Sequence, residues 1–334
     1  MLRVSVIMPT YNRASFLRGA IVSVLGPTYP SLQLVVVDDG STDSTARLVD
    51  EYVRSDRRVR YVRQAHRGVA AARNAGLESA TGQVVGFCDS DDRWMPNKLE
   101  RQVRCLEDDP EIGLVYSDVR SVSGSVVQVP SYFAERPPHD GWVFLALVEK
   151  NFIPTVSVLV RRPHLDIVGR FDESLSSSED YELWLRFCRR FPAAYVRDVL
   201  VTVQRHSGNL TGDAQANYAM HLAVLDRVTT ARGNPIPSEV VSRAYANTYF
   251  QIGYDYLVQR RFAQAQEALL KSWRYNPASR LVYRYLAASM LPGQVLNAVL
   301  DQRARQIQRA DAASTTNKTT RRKPTLVASS VNER

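Results

Sequence analysis

Cysteine is scarce: Cys88, Cys105 and Cys188 are the only three in 334 residues, and no two stand in a CxxC spacing. Such a set excludes a disulfide framework and a structural zinc site, and it suits a reducing compartment. No uninterrupted apolar run reaches the ~18 residues that a membrane-crossing helix needs. The chain runs into a first strand at Arg3, which leaves no room for a signal peptide, so a cytoplasmic protein is expected. The turn after that strand lacks the glycines of GxGxxG, and no GxxxxGK(S/T) occurs. A Rossmann dinucleotide site and an ordinary P-loop are thereby excluded.

Acidic residues are outnumbered, 34 against 43 basic ones, for a net charge of +9. The imbalance is local. From Arg303 to Arg334 there are eight basic residues and two acidic ones, which leaves only +3 for the first 302 residues. No stacking aromatics accompany this basic tail, so no nucleic-acid partner is expected.

What the chain does have is strand–helix alternation. Residues 3–8 are alternating and β-branched, a strand broken by Pro9-Thr10-Tyr11-Asn12. Phe16, Leu17, Ala20, Ile21, Val24 and Leu25 then share one helical face. Leu34 to Val37 is a continuous apolar run, typical of a parallel strand buried on both faces, and it ends in Asp38-Asp39-Gly40. A third strand at 59–62, an Ala-rich helix at 69–79 and a strand ending at Cys88 follow. This order predicts a doubly wound α/β sheet with its ligand site along the carboxyl ends of the strands. Beyond it the pattern predicts a helix from Pro96, a strand at 113–118 and a hairpin and Pro-rich loop over 119–140. A strand at 156–160, a helix after Glu179-Asp180 and a strand at 199–203 complete this part. From Asp213 only helices are expected, and Gly253, Tyr256, Ala265, Leu269 and Pro277 match one tetratricopeptide-like helix pair. Residues 311–334, rich in Ser, Thr, Asn and basic side chains, are expected to be disordered.

The chemically conspicuous stretch is Cys88-Asp89-Ser90-Asp91-Asp92. Three carboxylates within four residues repel one another unless a cation or partner offsets them. The plainer alternative is a solvated Asp-rich turn.

Five motifs in order resemble those of family 2 glycosyltransferases: Val4 to Asn12 (VSVIMPTYN), Val37 to Asp43 (VDDGSTD), Ala72 to Gly76 (ARNAG), Phe87 to Asp92 (FCDSDD) and Glu179-Asp180. The resemblance covers roughly residues 3–207. It implies a GT-A fold, with a Rossmann-like nucleotide-binding half and an acceptor half in one mixed sheet. It also implies a nucleotide-sugar donor, a divalent metal (Mn²⁺ or Mg²⁺) and inversion at the anomeric carbon. The domain plan is then 1–212 for the catalytic domain (1–118 donor half, 119–212 acceptor half), 213–310 for an all-α appendage and 311–334 for the tail.

Carried onto this sequence, the resemblance makes Pro9, Thr10 and Tyr11 the lining of a base pocket and Asp39 a partner of the base edge. Asp38 either joins them or braces its loop. Arg73 meets base or phosphate, or is a surface helix residue. Asp89 and Asp91 form the DxD pair, with Asp91 the direct metal ligand, Asp89 and Ser90 at the ribose or sugar, and Asp92 assisting. His206 reaches the metal or diphosphate, or is an ordinary surface histidine; Arg205 is a weaker phosphate candidate. Asp180 is the candidate general base and Glu179 beside it a candidate acceptor or sugar contact, unless both simply cap the helix. Trp184 either stacks on a sugar or belongs to the core. There is no QxxRW motif and no multi-helix membrane region, so transfer of a single UDP-linked sugar to a glycan or lipid-linked acceptor is favoured over polymerisation. Residues 281–300 and the basic tail suit peripheral contact with an anionic membrane. Two rivals are a sugar-phosphate nucleotidyltransferase, which needs a Gly-rich basic loop where Pro9 to Asn12 stands, and a non-catalytic helical interaction protein with a degenerate nucleotide-binding domain.

Overall fold

The computed structural model describes residues 1–26, 29–134, 138–206, 214–231 and 236–290. The expected disordered tail, 311–334, and Ser207 lie outside these residues. The chain divides by packing into two units, Met1–Tyr245 and Ala246–Arg334.

The first unit is built on a mixed sheet of nine strands among the described residues: β1 (Val4–Thr10), β2 (Leu32–Asp38), β3 (Val59–Arg63), β4 (Val84–Phe87), β5 (Arg93–Trp94), β6 (Leu114–Ser123), β7 (Val126–Val129), β8 (Leu159–Arg161) and β9 (Ala193–Gln204). Their order is β3-β2-β1-β4-β8-β6-β9-β5, with β7 added to β6. The β3-β2-β1-β4 half is parallel, as the strand–helix alternation predicts. β8 then runs antiparallel to both β4 and β6. Alternation puts Ile7, Val35, Val37, Val85 and Phe87 into one apolar cluster and Val6, Met8, Leu34, Val36 and Val84 into another. The sheet is therefore buried on both faces, which is why its parallel strands read as unbroken apolar runs.

Helices α1 (Ala14–Leu25), α2 (Thr45–Ser55) and α4 (Lys98–Asp108) send apolar residues into the second cluster. Helices α3 (Val69–Ser79), α5 (Phe144–Glu149), α6 (Arg162–Val168) and α7 (Glu179–Cys188) send theirs into the first. On α3 the small residues Ala70, Ala71, Ala72 and Gly76 let the helix lie close to the sheet, and a methyl group at Gly76 would collide with Ile7. That close approach carries Arg73 and Asn74 inward. Pro9 lies within a central strand although proline cannot donate to a ladder. It is tolerated because β4 pairs with β1 only from Val4 to Ile7, so that edge is already open at residue 9.

Three expectations shift. The strand foreseen at 156–160 is a 3₁₀ turn, Thr155–Ser157, followed by β8; Gln102 and Trp94 hold that turn by its carbonyls. The strand foreseen at 199–203 is the end of β9, which starts at Ala193 because it pairs with the whole of β6. The packing break falls after Tyr245, not after 212. Helix α8 (Ala214–Thr229) and the start of α9 (Ser238–Val258) bury Val224, Leu225, Val240 and Ala244 in the first unit's core.

The second unit pairs the end of α9 with α10 (Phe262–Tyr275) and α11 (Arg280–Ser289) around Leu257, Ala265 and Leu269. A side chain at Gly253 would meet Leu269, so glycine sets the spacing of this helix pair.

Candidate active site

The carboxyl ends of β1, β2 and β4 meet, and their loops are tied to one another. Asn12, at φ 50, accepts from the backbone N–H of Thr42 at 2.8 Å. Its own N–H donates to Ser41 Oγ at 2.9 Å, which locks the loop after β1 to the loop after β2. Gly40 takes φ 81, and a Cβ there would press on the backbone N of His66 at 2.9 Å.

Asp38 resolves to the bracing role. Its Oδ1 accepts from Ser41 N–H at 2.7 Å, its Oδ2 from the Tyr61 hydroxyl at 2.6 Å, and it is fully buried. Asp39 also serves its own loop. Oδ1 accepts from Gln64 Nε2 (2.7 Å) and Arg67 N–H (2.9 Å), while Oδ2 accepts from Gly68 N–H (2.8 Å) and faces His66 Nδ1 (2.8 Å). A carboxylate offers about four acceptor positions. A base edge can reach Asp39 only by displacing Gln64 or His66.

Pro9 and Thr10 are buried in β1, and of the three residues expected to line a pocket only Tyr11 is exposed. Tyr11 stacks on His66 with ring centroids 4.0 Å apart and planes within 19°. His66 has no counterpart in the sequence reading, although its place just after β3 is another strand end of the same edge.

The Cys88–Asp92 turn directs its carboxylates three ways. Asp89 Oδ1 receives Arg73 Nη2 at 3.1 Å. Asp91 Oδ2 lies 2.9 Å from His206 Nε2, across 115 residues of chain, and 4.0 Å from Arg13 Nε. The His206 ring is stacked on Phe16 at 4.4 Å. Asp92 turns inward and accepts from the Gln204 N–H at 3.0 Å, and Ser90 is buried in the turn. Burial pushes Asp92 well above the usual carboxylate range, with Asp89 and Asp91 adding to it. Burial also raises Asp89, against the pull of Arg73. Among the described residues, no three or more His, Cys, Asp or Glu side chains converge as a ready metal cage.

Arg73 is not a surface helix residue. It is buried, with Nη1 2.5 Å from Glu179 Oε1 and Nη2 on Asp89. Burial disfavours its charge, but Asp89 and Glu179 outweigh that and raise its pKa. Its neighbour Asn74 exchanges hydrogen bonds with the backbone of Phe171, donating at 3.0 Å and accepting at 3.1 Å, which pins the approach to α7. Ser178 then takes φ 60, an uncommon conformation for a non-glycine residue, and launches α7.

Asp180 opens that helix and faces a cleft that Asp89, Asp92, Thr155, Tyr132 and Arg205 also line. Its Oδ2 accepts from the Thr155 hydroxyl at 2.7 Å. Across the cleft, Arg205 Nη2 donates to Tyr132 OH at 2.5 Å. Asp118, which accepts from Tyr132 N–H at 2.9 Å, sets that wall. Glu179 is held by Arg73 and is withdrawn from the acceptor role expected for it. Trp184 is withdrawn too: it is wholly buried against Phe87 and Phe171, on the inner face of α7, and cannot touch a sugar. Thr155 and Tyr132 carried no signal of their own in the sequence, although Tyr132 lies in the loop singled out at 119–140.

Comparison with known proteins bears on the fold and on the first half of the chain. Residues 5–165 match the model of the Glycosyl transferase family 2. An uncharacterized glycosyltransferase of Rickettsia prowazekii is 30% identical over 217 residues, 63% of this chain and 66% of that protein. The putative teichuronic acid biosynthesis glycosyltransferase TuaG of Bacillus subtilis is 42% identical over 104 residues, 31% of this chain and 41% of TuaG. A Rickettsia felis relative is spanned over only 34% of its length, so the chain covers about a third to two thirds of these curated relatives. Among solved structures, S. aureus TarS 1-349 in complex with UDP-GlcNAc superposes with TM-score 0.63 at 18% identity, covering 95% of this chain and 92% of TarS 1-349. The mannosyltransferase PcManGT from Pyrobaculum calidifontis, in complex with GDP-Man and Mn2+, gives TM-score 0.58 at 21% identity, with coverage of 93% and 86%. The likeness to these solved structures shows the fold, a mixed α/β sheet of the GT-A kind. Residues 5–165, just under half of the chain, are the part similar to glycosyltransferase family 2.

Proposed function

We propose that this protein transfers one sugar, with inversion, from a UDP-linked donor to a hydroxyl of a glycan or lipid-linked acceptor, as in cell-surface polysaccharide or glycolipid synthesis. The observation that carries the reading is the cleft in which Asp180 faces Asp89, Asp92 and Arg205. In it, residues 1–118 form the donor half and 119–212 the acceptor half. The names of TuaG and of the TarS complex support the polysaccharide setting and the UDP-sugar.

The Tyr11–His66 stack offers a flat face for the base, above the buried Pro9 and Thr10. Arg73 keeps Asp89 in place, with Ser90 buried beneath it, and Arg205 stands where phosphate charge must be met. Asp91 and His206 are the residues that would hold Mn²⁺ or Mg²⁺, with Asp92 behind them. A pair of protein ligands fits a cation that takes its remaining positions from phosphate and water. Such a cation, when bound, neutralises the diphosphate leaving group. The acceptor oxygen attacks the anomeric carbon from the Asp180 side, its proton passes to the Asp180 carboxylate, and the bond to the phosphate oxygen breaks with its electron pair.

The same reading places the protein at the cytoplasmic face of a membrane, in peripheral contact with anionic lipid. On α10, Leu270, Trp273 and Arg274 share one exposed strip; on α11, Arg280, Tyr283 and Arg284 share another. The Trp273 Nε1–Tyr283 OH hydrogen bond, 3.0 Å, joins the two strips into an aromatic and basic band suited to lipid headgroups.

A panel of nucleotide-sugars assayed for donor turnover tests the central claim, with UDP binding measured with and without Mn²⁺. Asp180→Asn should abolish transfer and leave UDP affinity unchanged. Retained turnover in that variant reassigns the base, and absence of metal-dependent binding of any nucleoside diphosphate removes the enzyme reading.

A further inference from the structure

Asp180 is held by a hydrogen-bond chain whose direction is fixed. An indole N–H can only donate. Trp184 Nε1–H therefore occupies a lone pair of Thr155 Oγ1, 3.2 Å away. The Thr155 hydroxyl proton is left for Asp180 Oδ2 at 2.7 Å. The other carboxylate oxygen, Oδ1, accepts from the backbone N–H of Tyr181 at 2.7 Å. The turn that carries Thr155 is itself pinned from behind. Trp94 Nε1–H donates to Val156 O at 3.0 Å, and Gln102 Nε2–H donates to Ser157 O at 2.8 Å. Trp184 is wholly buried, with its ring packed beside Phe87 and Phe171.

We propose that Thr155 is a positioning residue for the proton-accepting carboxylate, its hydroxyl locked by Trp184 into donating to Asp180. This rests on the reading of Asp180 as general base. With one oxygen tied to Thr155 and the other to Tyr181, the carboxylate plane is set and its remaining lone pairs point into the cleft. A group displaced by about 1 Å in such a site loses on the order of a hundredfold in rate.

The test uses the full chain and four variants: Thr155→Val, Thr155→Ser, Trp184→Phe and Asp180→Asn. Turnover of UDP-N-acetylglucosamine and UDP-glucose is measured with UDP affinity and a thermal melt for each. Thr155→Val should lower kcat by about tenfold or more, within the range of one general-base contribution, with donor KM and UDP affinity unchanged. Thr155→Ser, which keeps the hydroxyl, should restore most of kcat, and Trp184→Phe should fall between. Wild-type kcat in Thr155→Val beside a dead Asp180→Asn overturns the positioning role and leaves the base reading intact. A loss that serine does not repair, or that appears in donor KM, also overturns it. If Thr155→Val fails to fold, Trp184→Phe decides: wild-type kcat there sinks the proposal. An active Asp180→Asn, or no wild-type turnover of either donor, removes the reading on which it stands.

Discussion

Arg73 is the residue on which the electrostatics of the cleft depend. Its guanidinium joins Asp89 and Glu179, from parts of the chain 16 and 106 residues away. Burying a charge is costly unless it is paired, and breaking such a pair from one side strands the partner. Arg73→Met should therefore destabilise the protein by about 3–5 kcal/mol in urea unfolding, because Glu179 is left buried without a counter-charge. Adding Glu179→Gln to Arg73→Met should recover part of that loss, since a glutamine carries no charge to strand. Equal stability of the single and double variants would show that the pair is not what holds this region.

At the scale of the element, α4 carries a lysine where its apolar stripe predicts a hydrophobic side chain. Lys98 is fully buried, with Nζ 2.5 Å from Gln102 Oε1 and 4.0 Å above the Trp94 ring. Burial lowers its pKa from 10.5 to about 7, with Cys88 working the other way. The unfolded chain binds this proton up to about pH 10.5, whereas the folded chain releases it near 7. Stability must then rise with pH between those values, by up to roughly 5 kcal/mol if this group acts alone. Urea midpoints should climb from pH 7 to 9.5 in the wild type and stay flatter in Lys98→Met. A parallel slope in the variant would assign the titration elsewhere.

Elements of this kind also mark what the sequence made legible. The parallel half of the sheet and the strand-end motifs were readable because their signals are local: apolar runs for strands, Asp and Asn where they stop. Lys98 carries no such signal, since its burial comes from Trp94 and Gln102 closing over it. The Asp91–His206 pair and the Arg73–Glu179 pair join residues 115 and 106 positions apart, and nothing in either local pattern specifies the partner. Trp184 misled for the same reason. A tryptophan four residues beyond a candidate base looks like a sugar platform until the face of α7 that packs on Phe87 is known.

Across the whole chain, the basic surplus and the residues assigned to the cleft fall in different stretches of sequence. Every residue assigned to the cleft precedes residue 207, whereas the aromatic and basic band lies on α10 and α11 and the stretch with eight basic residues against two acidic ones begins at Arg303. Five of those eight basic residues follow Ser314. Each Lys or Arg near an anionic surface contributes about 1 kcal/mol, so their removal should weaken partitioning at low salt by at least about tenfold. Flotation with phosphatidylglycerol vesicles should therefore recover the full chain, less of a chain ending at Ser314, and less again of one that also carries Trp273→Ala and Tyr283→Ala. Phosphatidylcholine vesicles and high salt should reduce binding of all three, because the attraction is screened within a Debye length. Donor turnover on a water-soluble acceptor should be the same in all three chains, since none of the changed residues is among those lining the cleft. Equal flotation of the three proteins would refute the membrane contact while leaving the transfer chemistry as it stands.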